Sequence, residues 1–324
     1  MRVRGFFIAK RGQKGYTGRM KTAILGAGAL GCYYGARLAA AGDEVWFIGR
    51  SACGAMQEQG LRVQSVDGDV VLPRVHAVRS SADCGPVDRV FVAWKTCCNG
   101  LFAEALPPLL RPGTEVITLQ NGMGNAEKIA EIVPAEDVYI GLCFVCCMMD
   151  EPGVIRHLEG GEIRFAPLVP GAHGLARAQE FAAHLTRAGV PSMATGDAEQ
   201  TLWTKLTWNI PFNGLCLAHG GISVRQLFTM PEEVERSRRV MEEVCLAAAR
   251  RGHPTPEAIV QAQMERTRVM GDFIPSSAVD YLRGRPVEYE AIWGEPLRRA
   301  LAAGVPVPET ERLCADIRAR LGMA

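Results

Sequence analysis

A lysine and two asparagines recur at four-residue intervals in an otherwise apolar segment. Lys205, Asn209 and Asn213 occupy positions i, i+4 and i+8 within residues 202–215, so they share one face of a predicted helix. A helix this apolar is buried, and its single polar stripe then faces a cleft. Desolvation in a cleft lowers the pKa of a lysine and lets it donate a proton near neutral pH. The spacing makes Lys205 a candidate proton donor, with a solvated surface stripe as the alternative interpretation.

A glycine-rich turn near the start of the chain indicates a dinucleotide site. Gly26, Gly28 and Gly31 follow an apolar strand and open an amphipathic helix, which is the setting that makes a G-x-G-x-x-G pattern informative. Phosphates bind at the positive end of such a helix. The residues between the glycines belong to the same predicted binding turn: Ala27, Ala29 and Leu30.

The end of the second predicted strand indicates which dinucleotide binds. NAD sites carry Asp or Glu about 20 residues beyond the glycines, whereas NADP sites place an arginine there. This chain has Arg50 and no carboxylate in the segment Ile48-Gly-Arg-Ser51. Because a guanidinium offers a fork of donors matched to phosphate, we predict NADPH/NADP as the cofactor. A solvated loop arginine is the alternative interpretation.

Four more polar residues stand where a ligand could meet them. Lys95 and Asn121 each follow a buried strand, at the carboxyl edge where open α/β sheets bind ligands. Ser276 and Glu288 precede an amphipathic helical segment in the second half of the chain. A glutamate at a helix start usually complements the helix dipole, so each of these residues is ambiguous when considered alone.

The elements that must position these residues fall into two groups. Alternating strands and helices up to about residue 195 predict a parallel, doubly wound, Rossmann-type sheet. Within this part, Asp67-Gly68 predicts a hairpin and residues 101–110 predict a helix. The fold class is therefore α/β plus all-α, with an NADP-binding Rossmann-like domain over residues 20–195 and a helical substrate and catalytic domain over residues 196–324.

The helical second half is predicted from its start and stop signals. Asp197 is placed to cap a helix that runs toward His219, and no strand pattern follows it. Later helical segments begin at or near a proline and end near a glycine, as helix termini prefer.

Composition limits the class of protein. The chain has 324 residues, 48% of them hydrophobic, and a net charge of +1, which indicates a globular protein of about two domains with no nucleic acid partner. No charge-free apolar run reaches the roughly 18 residues that a membrane span needs. Eleven irregularly spaced cysteines favour a reducing cytoplasm over disulfides or a metal site.

The first 19 residues differ from the rest. They contain six basic residues (Arg2, Arg4, Lys10, Arg11, Lys14 and Arg19) and no acidic one, and their apolar run at residues 5–9 is too short for a signal peptide. We interpret residues 1–19 as a disordered extension or a misassigned start, with Met20 as the natural first residue of the fold.

Taken in order, these motifs resemble the ketopantoate reductase (2-dehydropantoate 2-reductase) family from about residue 20 to residue 313. The shared features are the glycine turn, a strand ending in Lys95, the loop Gln120-Asn-Gly-Met-Gly124, the helix pattern Trp-x-Lys-Leu-x-x-Asn-x-x-x-Asn, Pro-Ser-Ser with Asp280, and Glu288 before Gly294.

The resemblance implies an NADPH-dependent reduction of a 2-oxo acid to a 2-hydroxy acid. Ketopantoate reduction to pantoate, for pantothenate and coenzyme A synthesis, is the first expectation. The resemblance assigns Lys205 as the proton donor. It places around the substrate Asn121, Asn209, Asn213 and Ser276. It places against the cofactor Arg50, Lys95, Asn121 and Glu288.

The sequence departs from the family pattern in three places. Cys97-Cys98 makes the segment after Lys95 unusually rich in cysteine, Trp293 replaces a common asparagine, and Ser277-Ala-Val279 replaces a Met-Leu-Gln-like run. Two alternatives therefore stay open: a reductase of another 2-oxo acid, and a non-catalytic NADP(H)-binding sensor. The retained lysine and asparagines favour an enzyme. The oligomeric state also stays open, with a homodimer as the candidate.

Overall fold

Among the described residues, ten strands join in one mixed sheet that occupies the N-terminal part of the chain. The computed structural model describes residues 19–323, so the extension predicted at residues 1–19 lies, apart from Arg19, outside the described residues. The strands are β1 (Lys21–Leu25), β2 (Glu44–Ile48), β3 (Leu61–Ser65), β4 (Val70–Leu72), β5 (His76–Val78), β6 (Arg89–Val92), β7 (Glu115–Thr118), β8 (Val138–Glu151), β9 (Val154–Pro167) and β10 (Ser192–Ala194).

Six of these strands form the predicted Rossmann-type sheet. Strands β5, β2, β1, β6, β7 and β8 lie side by side in that order, and all five pairings are parallel. The chain winds outward from β1 in both directions, so the winding reverses between β1 and β6. Ligands bind at the carboxyl ends of the strands at such a reversal. The predicted α/β fold class is confirmed.

Two antiparallel pairings make the sheet mixed. Strands β3 and β4 form the hairpin predicted around Asp67-Gly68. Strands β8 and β9, of 14 residues each, form a long hairpin whose register shifts beside Phe144. This hairpin extends the sheet beyond its parallel part and brings the middle of β8 toward the helical half of the chain.

The helices follow the prediction most closely in the second half. They are α1 (Ala29–Ala40), α2 (Cys53–Gln59), α3 (Phe102–Ala105), α4 (Asn125–Ala130), α5 (Ala172–Arg187), α6 (Ala198–Ala218), α7 (Val224–Leu227), α8 (Pro231–Arg250), α9 (Ile259–Arg268), α10 (Ser276–Leu282), α11 (Glu295–Ala302) and α12 (Pro308–Leu321). A π-helical turn, Glu290–Gly294, precedes α11.

The prediction of one helix over residues 101–110 is wrong. The segment contains only the four residues of α3, with 3-10 turns at Thr96–Leu101 and Pro107–Leu109 on either side. Two consecutive prolines, Pro107 and Pro108, supply no backbone N–H, so a continuous α-helix cannot pass through them.

Buried apolar residues of the described chain pack in three clusters, two on the sheet and one among the helices of the second half. Successive strand residues such as Ile24 and Leu25 point to opposite faces of the sheet and belong to two different clusters. The third cluster lies among the helices and is centred on α6, whose Trp203, Leu206 and Phe212 are fully buried. Helix α6 therefore forms the interior of the helical half, as its sequence predicts.

Candidate active site

The glycine turn lies at the carboxyl end of β1, where the winding of the sheet reverses. Gly26 has φ of +115°, and a Cβ there would lie 2.3 Å from the backbone N of Trp94. A Cβ on Gly31 would lie 2.3 Å from the carbonyl oxygen of Gly26. Gly28 differs, because no heavy atom beyond its immediate neighbours in the chain lies within 4 Å of its Cβ position. Two of the glycines therefore permit tight packing, while the third leaves open space in front of α1.

Gly28 is also the N-cap residue of α1 and offers no capping side chain. The first backbone N–H groups of α1 therefore point toward open space in which an anion can bind. Ala27 is buried behind the turn, and Ala29 and Leu30 are half-buried in the first turn of the helix.

Arg50 lies just beyond β2 at the same edge of the sheet. The N–H groups of Gly26 and Ala27 donate to the carbonyl oxygen of Ile48, at 2.9 and 3.1 Å, and tie the end of β2 to the glycine turn. The Arg50 side chain is exposed, and its Nη2 lies 3.5 Å from Sγ of Cys98. The guanidinium is thus placed between the end of β2 and the turn that follows β6.

Lys95 connects the sheet to the helical half. Its Nζ lies 2.6 Å from Oδ2 of Asp280 and 3.1 Å from Oε2 of Glu288. The other oxygen of Glu288 accepts from the backbone N–H of Thr96 at 2.8 Å. Partial desolvation would lower the pKa of Lys95, but the Glu288 and Asp280 carboxylates outweigh it and raise that pKa. The lysine therefore stays positively charged at the carboxyl edge.

A chain of buried amide side chains links the ends of β6 and β7. Oδ1 of Asn99 accepts from Trp94 Nε1 at 3.1 Å and from Gln120 Nε2 at 2.7 Å. Asn99 then donates to Oδ1 of Asn125 at 2.9 Å, and Asn125 donates to the carbonyl oxygen of Asn121 at 3.0 Å. These bonds satisfy groups that would be costly to bury alone. They also fix the backbone of Asn121.

The loop that carries Asn121 is held from the other side by the helical half. Gly122 has φ of +82°, and a Cβ there would lie 2.2 Å from the carbonyl oxygen of Ala291. The N–H of Met123 donates to that same oxygen at 2.8 Å, and the Met123 side chain is buried in the helical cluster. Asn121 is therefore positioned by both halves of the chain.

Lys205 on α6 reaches this loop and the middle of β8. Its Nζ donates to Oδ1 of Asn121 at 2.8 Å and to the carbonyl oxygen of Cys143 at 2.9 Å. Desolvation lowers its pKa from the ordinary 10.5, while Cys143 and Glu288 act in the opposite direction. An ammonium carries three hydrogens. Within residues 19–323 these two acceptors are its hydrogen-bond partners, so one of the three hydrogens has no acceptor there.

The two asparagines on the same face of α6 continue the polar stripe. Oδ1 of Asn213 accepts from the N–H of Ser277 at 3.0 Å and from Oγ of Ser276 at 3.4 Å. Asn213 is buried by this contact with the start of α10, whereas Ser276 is exposed. Asn209 is half-buried on α6 between Lys205 and Asn213. The stripe and the start of α10 therefore leave a cation, an amide and a hydroxyl accessible, on Lys205, Asn209 and Ser276.

Two of the three departures from the family pattern fall in the core. Trp293 is fully buried, and its Nε1 donates to the carbonyl oxygen of Ile210 at 3.0 Å. Ser277 and Ala278 are buried beneath the first turn of α10. The third departure, Cys97-Cys98, lies at the carboxyl edge beside Lys95 and Arg50.

The structure groups most of the predicted site residues in pairs. Lys205 contacts Asn121, Lys95 contacts Glu288, and Asn213 contacts Ser276, whereas Arg50 lies beside Cys98 with the glycine turn nearby. Our sequence reasoning missed the roles of Asn99, Asn125 and the Cys143 carbonyl group. Asn99 and Asn125 each come shortly after a strand end at the carboxyl edge, which is the signal that could have found them.

Membrane-spanning helices and clusters of metal ligands are two other features that bear on function. Among residues 19–323, no helix combines the length and the apolar character that crossing a membrane requires. In the same range no three or more His, Cys, Asp and Glu side chains gather as metal ligands would.

Known proteins share both halves of this architecture. The profile of the ketopantoate reductase PanE/ApbA family matches residues 22–170, and the profile of its C-terminal part matches residues 197–320. A 2-dehydropantoate 2-reductase of Nostoc sp. is 37% identical over 294 residues, which cover 89% of this chain and 91% of that protein.

Solved structures show the same similarity. The crystal structure of 2-dehydropantoate 2-reductase from Geobacter metallireducens has 37% identity and a TM-score of 0.89, and the match covers 93% of this chain and 99% of that one. A D-mandelate dehydrogenase solved with NADH and anilino(oxo)acetate shares the fold, with 23% identity, a TM-score of 0.83, and coverage of 93% of this chain and 98% of that one. The chain therefore belongs to the ketopantoate reductase PanE/ApbA family, whose members are dinucleotide-dependent oxidoreductases that act on CH–OH groups.

Proposed function

We propose that this protein reduces 2-dehydropantoate (ketopantoate) to pantoate with NADPH, as a step of pantothenate and coenzyme A synthesis. The observation that carries the proposal is the placement of Lys205: a desolvated ammonium, 2.8 Å from Oδ1 of Asn121, with a hydrogen left for a substrate oxygen. The 37% identity to a relative named for this reaction supports ketopantoate as the substrate.

The carboxyl edge of the sheet fits a dinucleotide. The open space in front of Gly28 and the uncapped start of α1 suit a pyrophosphate. The exposed guanidinium of Arg50 suits a 2′-phosphate, which favours NADPH over NADH. Lys95, Asn121 and Glu288 would border the remainder of the cofactor. When bound, the nicotinamide supplies the hydride that reduces C2 of the substrate.

The residues of the cleft then do the rest of the chemistry. Negative charge develops on the C2 oxygen during reduction, and Nζ of Lys205 stabilises that charge and donates a proton to the oxygen. The Asn121 and Cys143 oxygens hold the ammonium in place. We assign Asn209, Asn213 and Ser276 to the substrate carboxylate and distal hydroxyl, which they orient for reaction.

The broader organisation belongs to the same proposal. We infer that residues 20–195 bind the cofactor and residues 196–324 supply the substrate and catalytic groups, because the apolar clusters of the two halves are largely separate. All eleven cysteines are free thiols, which supports a reducing cytoplasm. A homodimer stays the candidate assembly, and light scattering after gel filtration would test it.

Steady-state oxidation of NADPH against a panel of 2-oxo acids tests the proposed function. The matched pair is ketopantoate and 3,3-dimethyl-2-oxobutanoate, which lacks only the distal hydroxyl. We expect kcat/KM for ketopantoate to be higher by about 10²-fold or more. The analogue leaves the polar groups that would bind the distal hydroxyl without a hydrogen-bond partner. Equal values for the pair, or a preference for an aromatic 2-oxo acid, would assign the cleft to another substrate. NADH serves as the comparison cofactor.

A further inference from the structure

Two adjacent cysteines lie beside the proposed cofactor site and have no part in the proposed reaction. Cys97 and Cys98 belong to the 3-10 turn Thr96–Leu101, directly after Lys95. Both are free thiols; Cys97 is exposed and Cys98 is half-buried. They follow the carboxyl end of β6, across the winding reversal from the glycine turn, and their exposure lets a reagent in solution reach them.

The two thiols face opposite charges. Sγ of Cys98 lies 3.5 Å from Nη2 of Arg50. Cys97 lies near the Glu288 carboxylate, which accepts from the neighbouring Thr96 N–H at 2.8 Å. Partial burial raises the pKa of the Cys97 thiol, and Cys98 and Glu288 add to that rise. Cys98 is therefore the thiol on the cationic side of the pair, in contact with the Arg50 guanidinium.

We propose that Cys98 is a site of reversible thiol–disulfide modification that competes with NADPH for Arg50. The proposal rests on the proposed function, because it takes Arg50 as the residue that binds the cofactor 2′-phosphate. The chemical class of reagent is an anionic disulfide, such as glutathione disulfide, since the Arg50 guanidinium attracts negative charge to this position.

The modification is a thiol–disulfide exchange. The deprotonated sulfur of Cys98 attacks one sulfur of the disulfide, a new bond forms between them, and the original S–S bond breaks. The leaving thiolate accepts the proton that Cys98 released. The Cys98 sulfur is oxidised and the leaving half of the reagent is reduced, so no further oxidant is required. Excess free thiol reverses the exchange.

Modification and cofactor binding should exclude each other. An acidic group attached to Cys98 would lie within reach of Arg50 and neutralise the charge that a 2′-phosphate needs. Conversely, a bound NADP⁺ would occupy the guanidinium and screen the sulfur. The structure therefore predicts protection by the cofactor and loss of cofactor affinity after modification.

The test follows the reaction of the intact protein with 5,5′-dithiobis(2-nitrobenzoate), an anionic disulfide that releases a coloured thiolate. The affinity of untreated protein for NADP⁺ is measured first. With NADP⁺ at about ten times its Kd, labelling of Cys98, located by peptide mass spectrometry, should slow about 11-fold. Cys245 on α8, half-buried in the helical half, is the internal control and should label at an unchanged rate.

Variants complete the test. Labelled wild-type protein and labelled Cys97→Ser should lose at least about tenfold in NADPH affinity, and excess dithiothreitol should restore it. The NADPH affinity of Cys98→Ser should be the same before and after treatment with the disulfide. Normal NADP⁺ binding without protection of Cys98, or unchanged affinity after labelling, would overturn this inference alone. Failure of untreated protein to bind NADP⁺ would overturn the proposed function as well.

Discussion

Replacing Lys205 by methionine removes the ammonium and keeps the length of the side chain. The Asn121 and Cys143 oxygens lose their donor, and the substrate oxygen loses its source of a proton. Loss of a general acid costs about 10²- to 10⁴-fold in kcat, or about 3 to 5 kcal/mol of transition-state stabilisation. NADPH affinity should change by less than about threefold, because the proposed phosphate-binding groups are on other elements.

The pH dependence gives this prediction a second readout. Lys205 must be protonated to act, and desolvation lowers its pKa from 10.5. In the wild type, kcat/KM should therefore decrease as pH rises, with the midpoint below pH 10.5. The residual kcat/KM of Lys205→Met should not show this decrease with rising pH, because the titrating group is gone.

Lys128→Met is the matched control, because Lys128 is an exposed lysine on α4. It should keep the wild-type rate and pH profile. NADPH oxidation at saturating ketopantoate supplies the rates, and circular dichroism checks folding. A folded Lys205→Met protein with a near wild-type rate, or with the wild-type pH profile, would refute the assignment of Lys205 as the acid.

Three other substitutions test the surrounding structure. Arg50→Ala should weaken NADPH binding by about 1 to 3 kcal/mol with little effect on NADH; equal losses by calorimetry would contradict the phosphate assignment. Asn99→Ala leaves three side chains without a hydrogen-bond partner and should lower the free energy of unfolding by about 2 to 4 kcal/mol. An unchanged midpoint in urea titrations would contradict a stabilising role of the amide chain. Gly122→Ala should push the loop away from Ala291 and reduce kcat at least about tenfold. Gly42→Ala, at a glycine with the same sign of φ but open space around it, is the control. Equal effects of the two substitutions would show that backbone strain, and not the contact with Ala291, causes the loss.

The fold was predictable where local patterns were strong. The strand, glycine turn and helix at residues 21–40 and the apolar helix α6 follow from periodicity and from glycine and capping chemistry. The segment at residues 101–110 was mispredicted, because its apolar spacing is helical although Pro107 and Pro108 interrupt the backbone hydrogen bonds. The pairing of β8 with β9 was not predicted, because the alternation of strands and helices favoured a parallel sheet, whereas the two-residue connection Pro152-Gly153 makes these two strands an antiparallel hairpin.

The site was predictable in its residue types but not in its contacts. Four-residue spacing placed Lys205 on a polar stripe, yet its contact with Asn121 joins residues 84 positions apart. The ion pair of Lys95 with Glu288 spans 193 positions, so only the packing of the two halves creates it. Asn99 and Asn125 follow strand ends at the carboxyl edge, but that position alone does not distinguish a buried network from a solvated loop, so only the fold reveals their contacts.

The central claim is that a hydride passes from NADPH to C2 of a 2-oxo acid in the cleft beside Lys205. The most direct measurement uses NADPH deuterated at C4 of the nicotinamide, in separate experiments with each of the two C4 positions labelled, and ketopantoate. The organic product is then analysed by mass spectrometry and NMR. One of the two labelled cofactors should give pantoate with a single deuterium at C2, and Lys205→Met should form that product at least about 10²-fold more slowly. Absence of pantoate, or pantoate without deuterium at C2 from both labelled cofactors, would contradict the account.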